Sequence, residues 1–204
     1  GAFLSYLDEA TANSELIKKM LNNKRPDPRM KDIELALRFF AFQYNIEQYD
    51  GNLKTFLDST CELLNNSWNE KNEEIKELFF QLEQAIAFSY ELFPKNPFSR
   101  YNKGSCNNKF NRAIFELFSY YFSNPQIRNC ISGDKEGFIN EFVKLNDDID
   151  FISAVSDTTK DFNRMFIRYN KFLELLLKFC VDKKIKISKF ILTNNKIKIE
   201  KVIS

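Results

Sequence analysis

The sequence contains no histidine. That removes the commonest general base near neutral pH and the commonest metal ligand. Ser-His-Asp and Cys-His mechanisms are therefore excluded within this chain. Glycine is nearly as scarce, with five residues at positions 1, 51, 104, 133 and 137. Neither GxGxxG nor GxxxxGK[ST] occurs, so both standard phosphate-cradling loops are missing. No apolar run reaches the length of a membrane span. The opening "GAFLSYLDEA" carries acids early and no basic stretch, so it does not read as a signal peptide. A soluble, cytoplasmic protein with no membrane partner is the expectation. Charge of one sign is also lacking: the formal net charge is +2, too small for a global field that gathers nucleic acid or lipid.

Four cysteines are present, Cys61, Cys106, Cys130 and Cys180, with no CxxC among them. Structural zinc sites usually come as close ligand pairs, so free, mostly buried thiols are expected and no metal or cofactor is. The densest acidic cluster is "NDDID" at 146–150. Asp and Asn favour helix starts, so it reads as a capping region rather than a magnesium site.

What remains is a chain of 204 residues with 22 Phe, long enough to bury a substantial core. Helical periodicity dominates from residue 3 to about residue 180. The first segment weakens at "ATANS" and reads as one helix or two short ones. "NNKRPDPR" breaks the chain, and Asp27 before Pro28, or Asp32 one turn later, is the expected cap of the next helix. That helix, about 29–48, is apolar on nearly all sides, as a buried helix is. It nonetheless carries Glu34 and Arg38, four apart and acid first, the order that favours an ion pair on one face. A buried charge without a partner is very costly, so the pair is expected to hold the helix in place, with spare guanidinium donors on backbone carbonyls. The other reading is an Arg38 that faces a groove and holds a phosphate.

Further helices are read over 52–66, 70–93, 108–122 and 125–131, followed by short ones at "FINEFVKL" and "DIDFISAVS" and a last long one to Cys180. Trp68 is expected as a hydrophobic staple at a helix start. Arg164, Arg168 and Lys171 fall opposite the apolar stripe of the last helix and read as a solvated basic face. "PKNPFSRYNKGSCNN" (94–108) reads as the longest irregular segment, a solvated connection or a contact surface. Lys95, Arg100, Lys103 and Lys109 lie in or next to it, without an acid. Residues 181–204 change character. "KKIKISKFIL-TNN-KIKIEKVIS" alternates polar and apolar residues around an Asn-rich turn, the pattern of a β-hairpin. It carries Lys183, Lys184, Lys186, Lys189, Lys196, Lys198 and Lys201 against Asp182 and Glu200, a balance of about +5. Such lysines either bind phosphate or guard a sheet edge against pairing with another chain. The expected architecture is a mostly α bundle of about eight to ten helices, residues 1–180, followed by a short basic hairpin or tail, 181–204.

The stretch "RMKDIELALRFFAFQYNIEQYDGNLKTFLD" resembles the helical C-terminal region of the GmrSD-type family, a bacterial group with a ParB/sulfiredoxin-like N-terminal domain. The family order is a "G-x-F" helix, then "D-x-R-M-x-D-x-E-x-x-L-R-F-x-A", then "Y-x-G-x-x-x-x-F-L". Gly1, Phe3, Asp27, Arg29, Met30, Asp32, Glu34, Leu37, Arg38, Phe39, Ala41, Tyr49, Gly51, Phe56 and Leu57 occupy those places. "FNRAIFE" (110–116) is similar to a later family motif, and "DTTKDFNRMFIRY" to its terminal helix. The resemblance implies a restriction or defence context, with nucleotide-dependent chemistry on the ParB-like domain around "DGQQR", a motif not found here. It implies that this chain is a C-terminal piece with no catalytic residue of its own. Its expected partners are the missing ParB-like domain, DNA through Arg100, Lys103 and the lysines of the tail, or a second copy of itself.

Overall fold

The computed structural model describes residues 1–22, 30–156, 161–181, 183, 185–193 and 196–203. Among these, ten α-helices, one 3₁₀ turn and two separate two-stranded sheets follow one another along the chain. A mostly α bundle with a C-terminal β-hairpin is therefore what forms.

Helices α1 (Ala2–Asn13) and α2 (Glu15–Leu21) are split at Ser14. The reason is local chemistry. Ser14 takes an extended conformation, its Oγ accepts from the Ile17 N–H, and its hydroxyl donates to Glu83 at 2.6 Å. A serine that caps one helix ends the one before it. Helix α3 (Lys31–Asn45) starts later than the sequence suggests. Met30 precedes it in the left-handed conformation, φ 52°, and Asp32 sits inside the first turn, where its Oδ1 accepts from Ile33 N–H at 2.9 Å. Asp27 and Pro28 lie outside the described residues.

The 3₁₀ turn Ile46–Gln48 and a turn at Gly51, φ 97°, lead to α4 (Leu53–Asn66), capped by Asn52. Helix α5 (Trp68–Leu92) is the longest at 25 residues. Trp68 begins it, and its ring packs on Tyr6 and Phe3 of α1, with centroids 5.2 and 6.4 Å away. It thus ties two helices together rather than stapling its own.

Strands β1 (Ser99–Asn102) and β2 (Ser105–Phe110) follow, antiparallel. This corrects the expectation of an irregular segment. Lys103 and Gly104 have φ 46° and 77°, the two positive values of a tight two-residue hairpin turn. Helix α6 (Arg112–Phe122) is capped by Asn111 and buried at every position from Ala113 onward. Around it stand α7 (Pro125–Ser132), α8 (Lys135–Leu145), α9 (Ile149–Ser156) and α10 (Phe162–Phe179), the first two and the last capped by Asn124, Asp134 and Asp161. The "NDDID" cluster starts α9, where Asp148 accepts from Phe151 N–H at 2.9 Å. Among the described residues no group of three metal-binding side chains occurs.

The core is aromatic. Phe118 of α6 lies 4.7 Å from Phe122, 5.0 Å from Phe142 and 5.6 Å from Phe172, centroid to centroid. Rings at these separations interact edge-on or offset and add to the burial of their area. Strands β3 (Lys186–Thr193) and β4 (Lys196–Ile203) form the expected C-terminal hairpin. It joins the same core: Ile187, Phe190 and Ile197 are buried, and Phe190 meets Tyr169 of α10 at 4.8 Å. Among the described residues no helix is long and apolar enough to cross a membrane.

Candidate functional site

Helix α3 places Glu34 and Arg38 one turn apart, and they do pair. Arg38 donates from Nε and Nη2 to Glu34 Oε1, at 2.9 and 2.7 Å. The spare donor does not go to a backbone carbonyl. Arg38 Nη1 donates to Glu116 Oε1 of α6 at 2.8 Å. Glu116 Oε2 in turn accepts from Arg168 Nη2 of α10 at 2.7 Å. One carboxylate therefore joins two guanidinium groups and three helices. Arg38, Glu116 and Arg168 are 7%, 4% and 1% exposed, and only Glu34 reaches the surface. Among the described residues the group so joined holds two acids and two bases.

This corrects the basic face expected on the last helix. Arg168 is core, Arg164 donates to the Ser153 carbonyl at 2.6 Å, and Lys171 pairs with Asp148 at 2.7 Å. The Lys171 hydrogen bond holds the Asp148 carboxyl below the usual carboxylate range. Glu116 and Arg168 are the residues that sequence reasoning missed. The signal was present for Glu116, an acid in the middle of the apolar run "RAIFELFSYYF".

The electrostatics around the network favour keeping protons in place. Burial alone would lower the Arg38 pKa, but the charge of Glu116 and the bonds from both acids outweigh it and raise it. Burial, reinforced by Glu116, pushes the Tyr49 phenol up to about 12 and Tyr169 well above its ordinary value. Among the described residues no partner is found for the fully buried Tyr169 hydroxyl. Both oxygens of Glu116 accept from guanidinium groups, so the arrangement is built to brace helices.

The basic residues singled out from sequence are placed apart. Arg100 lies half-buried in β1 and donates to the Ser156 hydroxyl at the end of α9. Lys103 is exposed at the β1–β2 turn, Lys183 is exposed, and Lys184 is outside the described residues. In the C-terminal hairpin Lys189, Lys198 and Lys196 stand opposite Glu200, Ile191 and Thr193, all on one face. Lys186 belongs to the other face, as does Lys201, which donates to Ser188 at 2.7 Å. The lysines thus do not form a single stripe, and an acid sits among those that share a face.

The four thiols are free: Cys180 is buried, while Cys61, Cys106 and Cys130 are partly exposed, more so than expected. Burial, with Cys130 beside it, pushes the Cys180 thiol up to about 12.

Comparison with protein-family models, with curated proteins and with solved structures gives no match.

Proposed function

We propose that this chain is a non-catalytic helical accessory module of a GmrSD-like restriction or defence protein. In this reading it carries the ParB-like domain or mediates assembly, and it works as a rigid mount. One observation carries it. Glu34 and Arg38, two of the charged residues of the first motif of the resemblance, and Glu116, the last residue of "FNRAIFE", are bonded to one another and to Arg168 inside the core. Such residues fix how α3, α6 and α10 meet, and buried ionic groups of this kind serve specificity of arrangement.

A second reading, direct binding of duplex DNA, is favoured by a different observation. From Leu92 to Phe115 the chain has no acid, and Lys95, Arg100, Lys103, Lys109 and Arg112 form no ion pair among the described residues. Lys189, Lys196 and Lys198 share a face of the other hairpin.

Fluorescence anisotropy of labelled duplex DNA across a salt series separates the two readings. The probe is titrated with the whole chain and with Lys189→Glu/Lys196→Glu/Lys198→Glu. Truncation after Cys180 is the wrong control, because it strips Ile187, Phe190 and Ile197 from the core. An accessory module gives no binding tighter than about 100 μM at physiological salt, the weak end of non-specific association. Micromolar or tighter binding with a steep salt slope, abolished by charge reversal, would replace the accessory reading with the second one.

A further inference from the structure

A cleft of about 430 Å³ opens between the C-terminal ends of α2 and α5 and the β1–β2 hairpin. Two cations reach it, Lys19 from α2 and Lys95 from the segment before β1, and among the described residues no carboxylate lines it. Both lysines are exposed, and neither forms an ion pair among the described residues. The nearest acids in sequence are engaged elsewhere, Glu15 with Lys18 and Glu91 with Lys135. Lys19 Nζ stands 4.0 Å above the Tyr90 ring, a cation–π contact that fixes the ammonium group over the cleft.

Two phenylalanines line the cleft as well. Phe98 is buried, and Phe110, whose ring lies 5.8 Å from it, is 41% exposed. The Asn96 and Asn108 side chains also line the cleft, hydrogen-bonded to each other at 2.8 Å. Asn108 is held there with φ 57°.

We propose that this cleft binds a nucleotide unit, its phosphate on Lys19 and Lys95 and its base against Phe110. Each part has the chemistry it needs. Lysine binds phosphate as a point charge, an exposed ring stacks on any base, and the amides offer donors and acceptors to a base edge. A volume in this range suits a small ligand. The same unit occurs free or within a single strand. In a duplex the bases are stacked inside and cannot reach Phe110, so this site stands or falls independently of duplex binding and of the accessory role.

The test is anisotropy of a fluorescein-labelled single-stranded DNA of about eight nucleotides with the whole chain at low salt. AMP and inorganic phosphate serve as competitors. Lys19→Glu/Lys95→Glu is expected to weaken binding by roughly tenfold or more, and Lys196→Glu/Lys198→Glu, the same charge change elsewhere, by less than about twofold. Phe110→Ala is expected to weaken it by roughly fivefold or more while the circular dichroism melt is retained. Competition by AMP would assign a free nucleotide, and its failure to compete would assign a strand. The proposal is overturned if the strand and AMP both fail to bind. It is equally overturned if the two charge reversals act alike, or if phosphate competes as well as AMP and Phe110→Ala changes nothing.

Discussion

The two hairpins share a plan and differ in almost everything else. Each is a pair of antiparallel strands without a third. The C-terminal one is built into the core. Phe190 sits between Tyr169 and Tyr120, and the Tyr121 hydroxyl lies 3.2 Å from the carbonyls of Tyr169 and Ser188. Its outer edges are occupied as well. Asn170 of α10 bonds to both the carbonyl and the N–H of Phe190, at 3.0 and 3.3 Å, and Glu47 accepts from Ile199 N–H at 2.9 Å. The β1–β2 hairpin is attached near its turn by Asn146, which accepts from Tyr101 N–H, and at its base by Asn111, which donates to the Val155 carbonyl. Among the described residues Lys103 at its turn and Lys109 form no ion pair. An isolated hairpin is marginal in water, so what each packs against decides its role. One is structure, and the other is display.

The comparison breaks most severely from below. Glu116→Ala leaves Arg38 and Arg168 buried without their shared carboxylate and loosens α10, the floor of the C-terminal hairpin. A loss of about 5 kcal/mol in urea unfolding is expected. A loss under 1 kcal/mol would mean that the network does not brace the fold. Phe190→Ala should cost about 3–4 kcal/mol by the same measurement, whereas Phe110→Ala should cost less, about 1–2, because Phe110 is 41% exposed. Equal costs would erase the distinction between the hairpins. Asn170→Ala strands two backbone groups of β3 and should cost about 1–3 kcal/mol, read also as faster hydrogen exchange at Phe190. Gly104→Ala forces a side chain into φ 77° and should cost about 1 kcal/mol, confined to local fraying of β1–β2.

The smallest effect sharpens the picture at the α9–α10 corner. Asp148, its pKa depressed in the folded protein, contributes stability that is present above the ordinary carboxylate pKa and fades as pH falls through the lower folded value. The group is largely solvated, so Asp148→Asn should cost only a few tenths of a kcal/mol at neutral pH. The gap to the parent should close on acidification in a pH series of thermal melts.

These contrasts explain what the sequence could and could not reveal. Helices with a stripe of Phe and Leu at a period of 3.6, such as α5 and α10, were legible, and so was β3–β4, whose Ile and Phe alternate with lysine. β1–β2 was not, because "SRYN" and "SCNNKF" carry no apolar alternation and their turn is a Lys-Gly pair. The Glu34–Arg38 pair could be read because a helix brings i and i+4 together. Glu116 is 78 residues from Arg38, and no local rule joins them. Arg168 looked solvated for the same reason: a charge on a helix announces its face but not the helix that lies against it.

The Asn170 and Glu47 contacts bear on how copies of this protein can meet. A strand offered by another molecule recruits onto a sheet by finding a continuous row of open backbone groups. Here each row is interrupted at its middle by a side chain acting as a one-residue neighbour. A strand added at either border of this hairpin has first to displace Asn170 or Glu47, an obstacle built without any proline or bulge.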